Sequence, residues 1–250
     1  DCSADEAQVE LLRDQPVTQD LVLEWIPPDE AAEIVYISGG SNDDDPDQSG
    51  QVGAWLTAPF IVEVRDETGA PQAGIMVIFQ VLEAAEGGAL ETADWLVSDD
   101  GGRVRNRYRL GARVGPNHVR ATAAGLSSRF VDFTPQGLPG VPASIRLDAG
   151  GDQSGVVGDT LPVALQVIVL DASGNVVPGA PVTFSPSNGG TALPAEAVSD
   201  DAGQAESVWT LGLVNDPGSL IQTMDIQSLS AALSVNATAD HDAPVQFVAV

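Results

Sequence analysis

The chain of 250 residues contains no lysine: its ten basic side chains are all arginine, set against 36 aspartates and glutamates for a net charge of −26 at pH 7. That surplus excludes charge-driven binding to nucleic acid or to an anionic membrane, because either partner would be repelled over most of the surface. Cysteine is almost absent as well. The single Cys2 rules out an intrachain disulfide and any zinc site built on several thiolates. Its position invites comparison with a lipoprotein anchor, but Asp1 stands where that signal wants a small residue, and an ordinary thiol is the alternative. No run approaches the roughly 18 consecutive apolar residues of a spanning helix. The sequence opens without a secretory leader, so either a leader has been removed, as in a mature secreted protein, or the protein is cytosolic. Neither His118 nor His241 has a cysteine partner, no G-x-S-x-G elbow occurs, and the glycine-rich stretches lack the lysine of a phosphate loop. Catalysis is therefore not expected.

Hydrophobic residues make up 43% of the chain and charged ones only 18%, enough apolar material to offset chain entropy and exclude disorder. Aromatics are sparse at 5%, while 26 glycines and 17 prolines point to many short strands and turns. The length suits one or two domains of roughly 100–150 residues.

An internal repeat settles that choice. Asp47-Gln48-Ser49-Gly50 recurs as Asp152-Gln153-Ser154-Gly155, and VEVRDETG (62–69) recurs as VIVLDASG (167–174). Farther on, SDDGG (98–102) matches SDDAG (199–203), and Leu110-Gly111 matches Leu211-Gly212. Two copies of one domain are expected, over residues 29–137 and 138–240. Within each copy the hydrophobic pattern has period two, as where Val62 and Val64 alternate with Glu63 and Arg65. Turns begin with Asp and end with Gly, at 66–69 and 171–174, where side-chain capping and positive φ are needed. The pattern predicts an all-β chain of two antiparallel β-sandwiches.

The motifs DASGNVVPGAPVTF (171–184), SDDAGQAESVWTLG (199–212) and SVNATA (234–239) resemble the bacterial immunoglobulin-like domains of the invasin and intimin group. The resemblance covers both copies and is stronger in the second; the first departs at Gln72 and ends in FVDFTP (130–135). It implies tandem immunoglobulin-like sandwiches used as extracellular stalks and spacers, without catalysis.

Two ends lie outside the copies. Residues 241–250 read as an orphan strand exposing Val245, Phe247, Val248 and Val250: the start of a further domain, an extension of the second domain's edge, or a strand that completes a sheet in a neighbouring subunit. Residues 1–28 carry one candidate strand with Leu21, Leu23 and Trp25, a potential partner for it. Head-to-tail self-association is thus one expectation and a truncated array the other.

Two features read as candidate sites. Asp43, Asp45 and Asp47 alternate in an acidic insertion of the first copy and could offer oxygen ligands to calcium, the one cofactor suggested; a solvated loop is the alternative, since Gln48 and Ala54 break the EF-hand pattern. Arg103, Arg105, Arg107 and Arg109 alternate along a strand and form a basic stripe. It could receive an acidic face of another subunit, an anionic glycan or a surface protein, or be neutralised by local carboxylates such as Glu63 and Glu83. Charge reversal at Arg105 and Arg107 is expected to weaken self-association. The first copy holds 17 acids and eight arginines, and residues 138–250 hold 12 acids and one arginine, so the molecule is polarised. A fibre or stalk subunit is the leading reading, and an adhesin module binding a glycan or host protein is the alternative.

Overall fold

A computed structural model describes residues 31–40, 47–126, 128–213 and 220–240. All its regular elements are strands. The first twelve are β1 (Glu33–Ser38), β2 (Ser49–Gln51), β3 (Phe60–Arg65), β4 (Met76–Glu83), β5 (Ala89–Leu90), β6 (Trp95–Val97), β7 (Arg103–Asn106), β8 (Tyr108–Arg109), β9 (Gly115–Pro116), β10 (His118–Ala123), β11 (Phe130–Phe133) and β12 (Gln136–Leu138). The other nine are β13 (Ser144–Ala149), β14 (Gln153–Val156), β15 (Leu165–Leu170), β16 (Pro181–Pro186), β17 (Thr191–Leu193), β18 (Glu196–Val198), β19 (Gln204–Thr210), β20 (Ile221–Ser228) and β21 (Ala231–Asp240). The cysteine, the N-terminal candidate strand, Asp43, Asp45 and the C-terminal strand lie outside the described residues.

The strands build two sandwiches in tandem. In the first, β1-β3-β7 faces β11-β10-β4-β6; in the second, β13-β15-β19-β17 faces β14-β21-β20-β16-β18. Each encloses its own core, one drawn from positions 31–133 and the other from 145–239. The period-two alternation explains this: β3 and β15 show the same order of buried and part-buried positions, with Phe60, Val62 and Val64 matched by Leu165, Val167 and Val169. Burying such side chains stabilises each domain by about 1.5–3 kcal/mol apiece.

The repeated polar motifs are fasteners for this architecture. The glutamine of DQSG binds across a kink: Gln48 Nε2 donates to the Gly39 and Ala58 carbonyls while its Oε1 accepts from Ala58 N–H. Gln153 does the same with Gly150 and Val163. The following Ser-Gly then forms a short strand parallel to the last strand of its domain, β2 on β12 and β14 on β21. In the SDD motif, Ser98 and Ser199 bind backbone groups of the preceding strand entry, while Asp99 and Asp200 cap the backbone N–H groups of their own turns. The glycine of the Leu-Gly pair serves close approach: a Cβ on Gly111 would collide with the Ala84 and Ala85 carbonyls, and one on Gly212 with the Asn188 carbonyl.

Candidate functional site

The described residues hold no converging group of three or more metal-capable side chains, and no helix among them is long and apolar enough to cross a membrane. The polar constellation that stands out is the joint between the two domains. It is built on the Asp171–Asn175 turn at the pole of domain two. Asp171 Oδ1 accepts from Ser173 and Asn175 N–H, each at 2.9 Å, and Oδ2 accepts from Gly140 N–H in the linker, also at 2.9 Å. Asn175 Nδ2 donates to Asp171 Oδ2 at 2.9 Å and to the Ala112 carbonyl of domain one at 2.8 Å, while its Oδ1 accepts from Val114 N–H at 3.3 Å. Both side chains are buried. Burial alone would raise the Asp171 carboxyl; the Asn175 amide and the N–H groups of Gly140, Asn175 and Ser173 outweigh it and hold the carboxyl below the usual range.

The equivalent turn of domain one keeps the cap and loses the reach. Asp66 accepts from the Thr68 hydroxyl and N–H, from Ala70 N–H and from the Gln72 amide, all within its own turn, and Ala70 occupies the place of Asn175. This pole is a shallow depression of about 740 Å³ lined by Ala31, Glu33, Thr68, Gly69, Leu126 and Arg129.

The stripe arginines lie on β7, β8 and the residue between them. Arg103 Nε binds Glu63 Oε2 at 3.0 Å and Arg65 Nε binds Glu63 Oε1 at 2.7 Å, so one buried carboxylate holds two guanidinium groups. The Arg65 and Arg103 hydrogen bonds keep the Glu63 carboxyl below its ordinary value despite burial. Arg107 lies 3.4 Å from Glu91 and over the Trp55 ring. Arg105 and Arg109 are exposed, with no ion-pair partner among the described residues; Glu83 pairs in register with His118 and not with an arginine. Of the calcium candidates only Asp47 is described; it accepts a hydrogen bond from the Thr134 hydroxyl at 2.6 Å.

Sequence reasoning passed over the joint. The signal was available in the repeat: Asn175 and Ala70 occupy equivalent positions in otherwise matching turns, and a difference between copies marks what one copy does that the other does not.

Residues 155–211 match the family model described as bacterial Ig-like domain (group 1). No curated protein matches the chain. Among solved structures, FdeC, an Escherichia coli adhesin, aligns at 16% identity with a TM-score of 0.51, over 77% of this chain and 62% of that one. That likeness establishes the fold, and the chain spans 62% of the FdeC structure's length. The Yersinia pseudotuberculosis adhesin InvE aligns at 15% identity with a TM-score of 0.39, over 86% of this chain and 62% of that one. The D0–D1 domain of intimin aligns at 16% identity with a TM-score of 0.31, over 83% of this chain and 95% of that one.

Proposed function

We propose, from the match of residues 155–211 to a bacterial Ig-like domain (group 1), that this chain is an extracellular structural protein: a cell-surface stalk, or a fibre subunit assembling head to tail. The observation that carries this reading is the joint. A stalk must transmit orientation from one domain to the next, and Asp171 and Asn175 tie linker, turn and the end of the preceding domain into one hydrogen-bonded unit. The likeness to FdeC, an adhesin, supports a surface location and a non-catalytic role. The two cores support dividing the chain into domains over 29–137 and 138–240.

In the fibre form, the exposed Arg105 and Arg109 receive an acidic face of the next copy, and residues 241–250 complete a neighbouring sheet by strand addition. Negative-stain electron microscopy with and without residues 241–250 tests it. Filaments lost on truncation support the fibre; straight rods in both samples remove the polymer and keep the stalk; freely bent domain pairs overturn both. Reversing Arg105 and Arg109 to glutamate is expected to weaken head-to-tail contact most at low salt, where exposed charges are least screened.

A second reading, an adhesin module with calcium at Asp43, Asp45 and Asp47, draws on the adhesin description of FdeC. Calorimetric calcium titration decides it: heat abolished by Asp45→Asn supports the site, and no heat removes it.

A further inference from the structure

The outer face of the four-stranded sheet in domain one is apolar where its counterpart in domain two is not. Register places Phe130, Thr122, Ile78 and Trp95 in one row across β11, β10, β4 and β6, with Met76 beside Val97 in the next row. Met76, Ile78, Trp95, Val97 and Phe130 are 40%, 42%, 57%, 52% and 46% exposed. The matching row of domain two, read from its own register, is Ala232, Gln227, Thr183 and Glu196, with Pro181 beside Val198. The charges on the domain-one face are spent internally: Arg120 makes a two-pronged bond to Asp132 at 2.7 and 2.8 Å and stacks over Phe130. Aliphatic side chains stand beside Trp95 in the register, and the neutral polar side chains of the face, Thr122 and Gln80, lie a strand or more away from it.

This face ends at an open strand edge. Val77 pairs with Leu96, Phe79 N–H donates to the Asp94 carbonyl, and Ser98 N–H donates to the Ile75 carbonyl. Residues 94, 96 and 98 therefore turn their backbone groups toward β4, and Trp95 and Val97 turn theirs away from it. No described strand lies beyond β6 in its sheet. Edges are ordinarily guarded by charge or proline. The matching edge strand β18 carries Glu196, whereas β6 reads Trp-Leu-Val.

We propose that β6 is a dimerisation edge: two copies of this chain pair their β6 strands antiparallel across a two-fold axis, joining the two domain-one sheets into one continuous sheet. A free antiparallel edge is complementary to itself under such an axis. Centred on Leu96, the register lets Trp95 and Val97 of one copy exchange N–H···O=C bonds with Val97 and Trp95 of the other. Three residues form a short edge, and the apolar cluster of Met76, Ile78, Trp95 and Val97, continued across the junction, supplies the rest of the contact. A second copy fits better than a charged partner because the face is neutral. Each chain carries a net charge of −26, so repulsion opposes the pairing and salt strengthens it.

Sedimentation equilibrium of the full chain at about 0.05 M and about 0.5 M sodium chloride tests this, with hydrogen exchange as the local readout. A dimer whose dissociation constant falls several-fold at the higher salt is expected, with the Trp95 and Val97 amides protected as it forms. Trp95→Glu, which installs the counterpart of Glu196, should weaken it by tenfold or more. Val97→Pro removes an outward N–H that makes no bond among the described residues and should do the same, with circular dichroism confirming that both variants fold. A chain that stays monomeric at high salt, or a dimer indifferent to both substitutions, overturns the proposal. Association that weakens with salt, or that disappears on deleting residues 241–250, assigns self-contact to the head-to-tail reading instead and equally overturns it.

Discussion

The two domains solve the same packing problem with different chemistry at matched positions. Tyr108 and Trp209 are equivalent and both fully buried. Tyr108 donates its hydroxyl to Asn117 Oδ1 at 3.0 Å, and burial pushes that hydroxyl up to about 12, so it stays a donor at any physiological pH. In domain two the counterpart of Asn117 is Gln222, whose longer amide spans Gly212, accepting from its N–H and donating to its carbonyl. The Trp209 indole N–H has no partner among the described residues. A second contrast lies on the outer sheet. Glu63 is clamped by Arg65 and Arg103, whereas the matching Ile168 sits among Leu170 and Gln204. Domain one thus holds an ion triad where domain two uses aliphatic burial. The fold tolerates either because the two copies share the strand pairing and the order of buried positions, as in β3 and β15, leaving the side chains at matched positions free to differ.

Breaking the aromatic centre of domain one should give the largest effect. Phe60 stacks on Phe133 at 4.1 Å and lies 6.0 Å from Tyr108, a cluster without a counterpart among the described residues of domain two. Phe60→Ala is expected to destabilise domain one by about 3–5 kcal/mol. Denaturant unfolding followed by far-ultraviolet circular dichroism should show an early transition, while the Trp209 environment changes at its original midpoint. Coincident shifts would show that the domains unfold as one unit.

Removing the turn caps tests the difference between the poles. Asp171→Ala strips acceptors from Gly140, Ser173 and Asn175 and should cost about 1–3 kcal/mol, read as a lower midpoint for domain two. Asp66→Ala, whose bonds are confined to its own turn, should cost less in domain one. Equal losses would mean that the linker bond at Gly140 contributes nothing.

Acid should separate the outer sheets. The Glu63 carboxyl is held below its ordinary value by Arg65 and Arg103, so its contribution is present above the unfolded glutamate value of about 4.3 and is lost as pH falls through the lower folded value. Glu63→Gln should flatten the acid limb of domain-one stability and leave that of domain two unchanged. A parallel acid limb in wild type and variant would assign the loss to other carboxylates, of which Asp132, bonded to Arg120, is the next in line.

The smallest change in stability, and a specific change in shape, belongs to Asn175→Ala. It leaves both cores intact and copies domain one's own Ala70. Small-angle scattering should show a broader spread of interdomain orientation with unfolding midpoints nearly unchanged; an identical scattering profile would show that other contacts hold the angle.

Much of this was legible in the chain. Period-two alternation at Val62 and Val64 and the Asp-to-Gly turns announced strands and reversals, because side-chain alternation and turn capping act over a few residues. DQSG and SDD-x-G announced themselves by recurring, and the structure gives their reason in Gln48, Gln153, Asp99 and Asp200. The arginine stripe was visible as a pattern, and Glu63 was legible as a carboxylate that could neutralise it, but which arginines it holds was not: Glu63 lies 40 residues from Arg103 in sequence, and only the β3–β7 register makes them neighbours.

Two copies of one β-sandwich could be read straight from the chain, since those signals are local and stated twice. Which residues meet could not, because that depends on folding in three dimensions. Asn175 reaches Ala112 from 63 positions away, and Phe130, Thr122, Ile78 and Trp95 form a row because four separate strands pair in one register. Alternation says which face a side chain takes; strand order and register, set by long-range pairing, say who stands beside it.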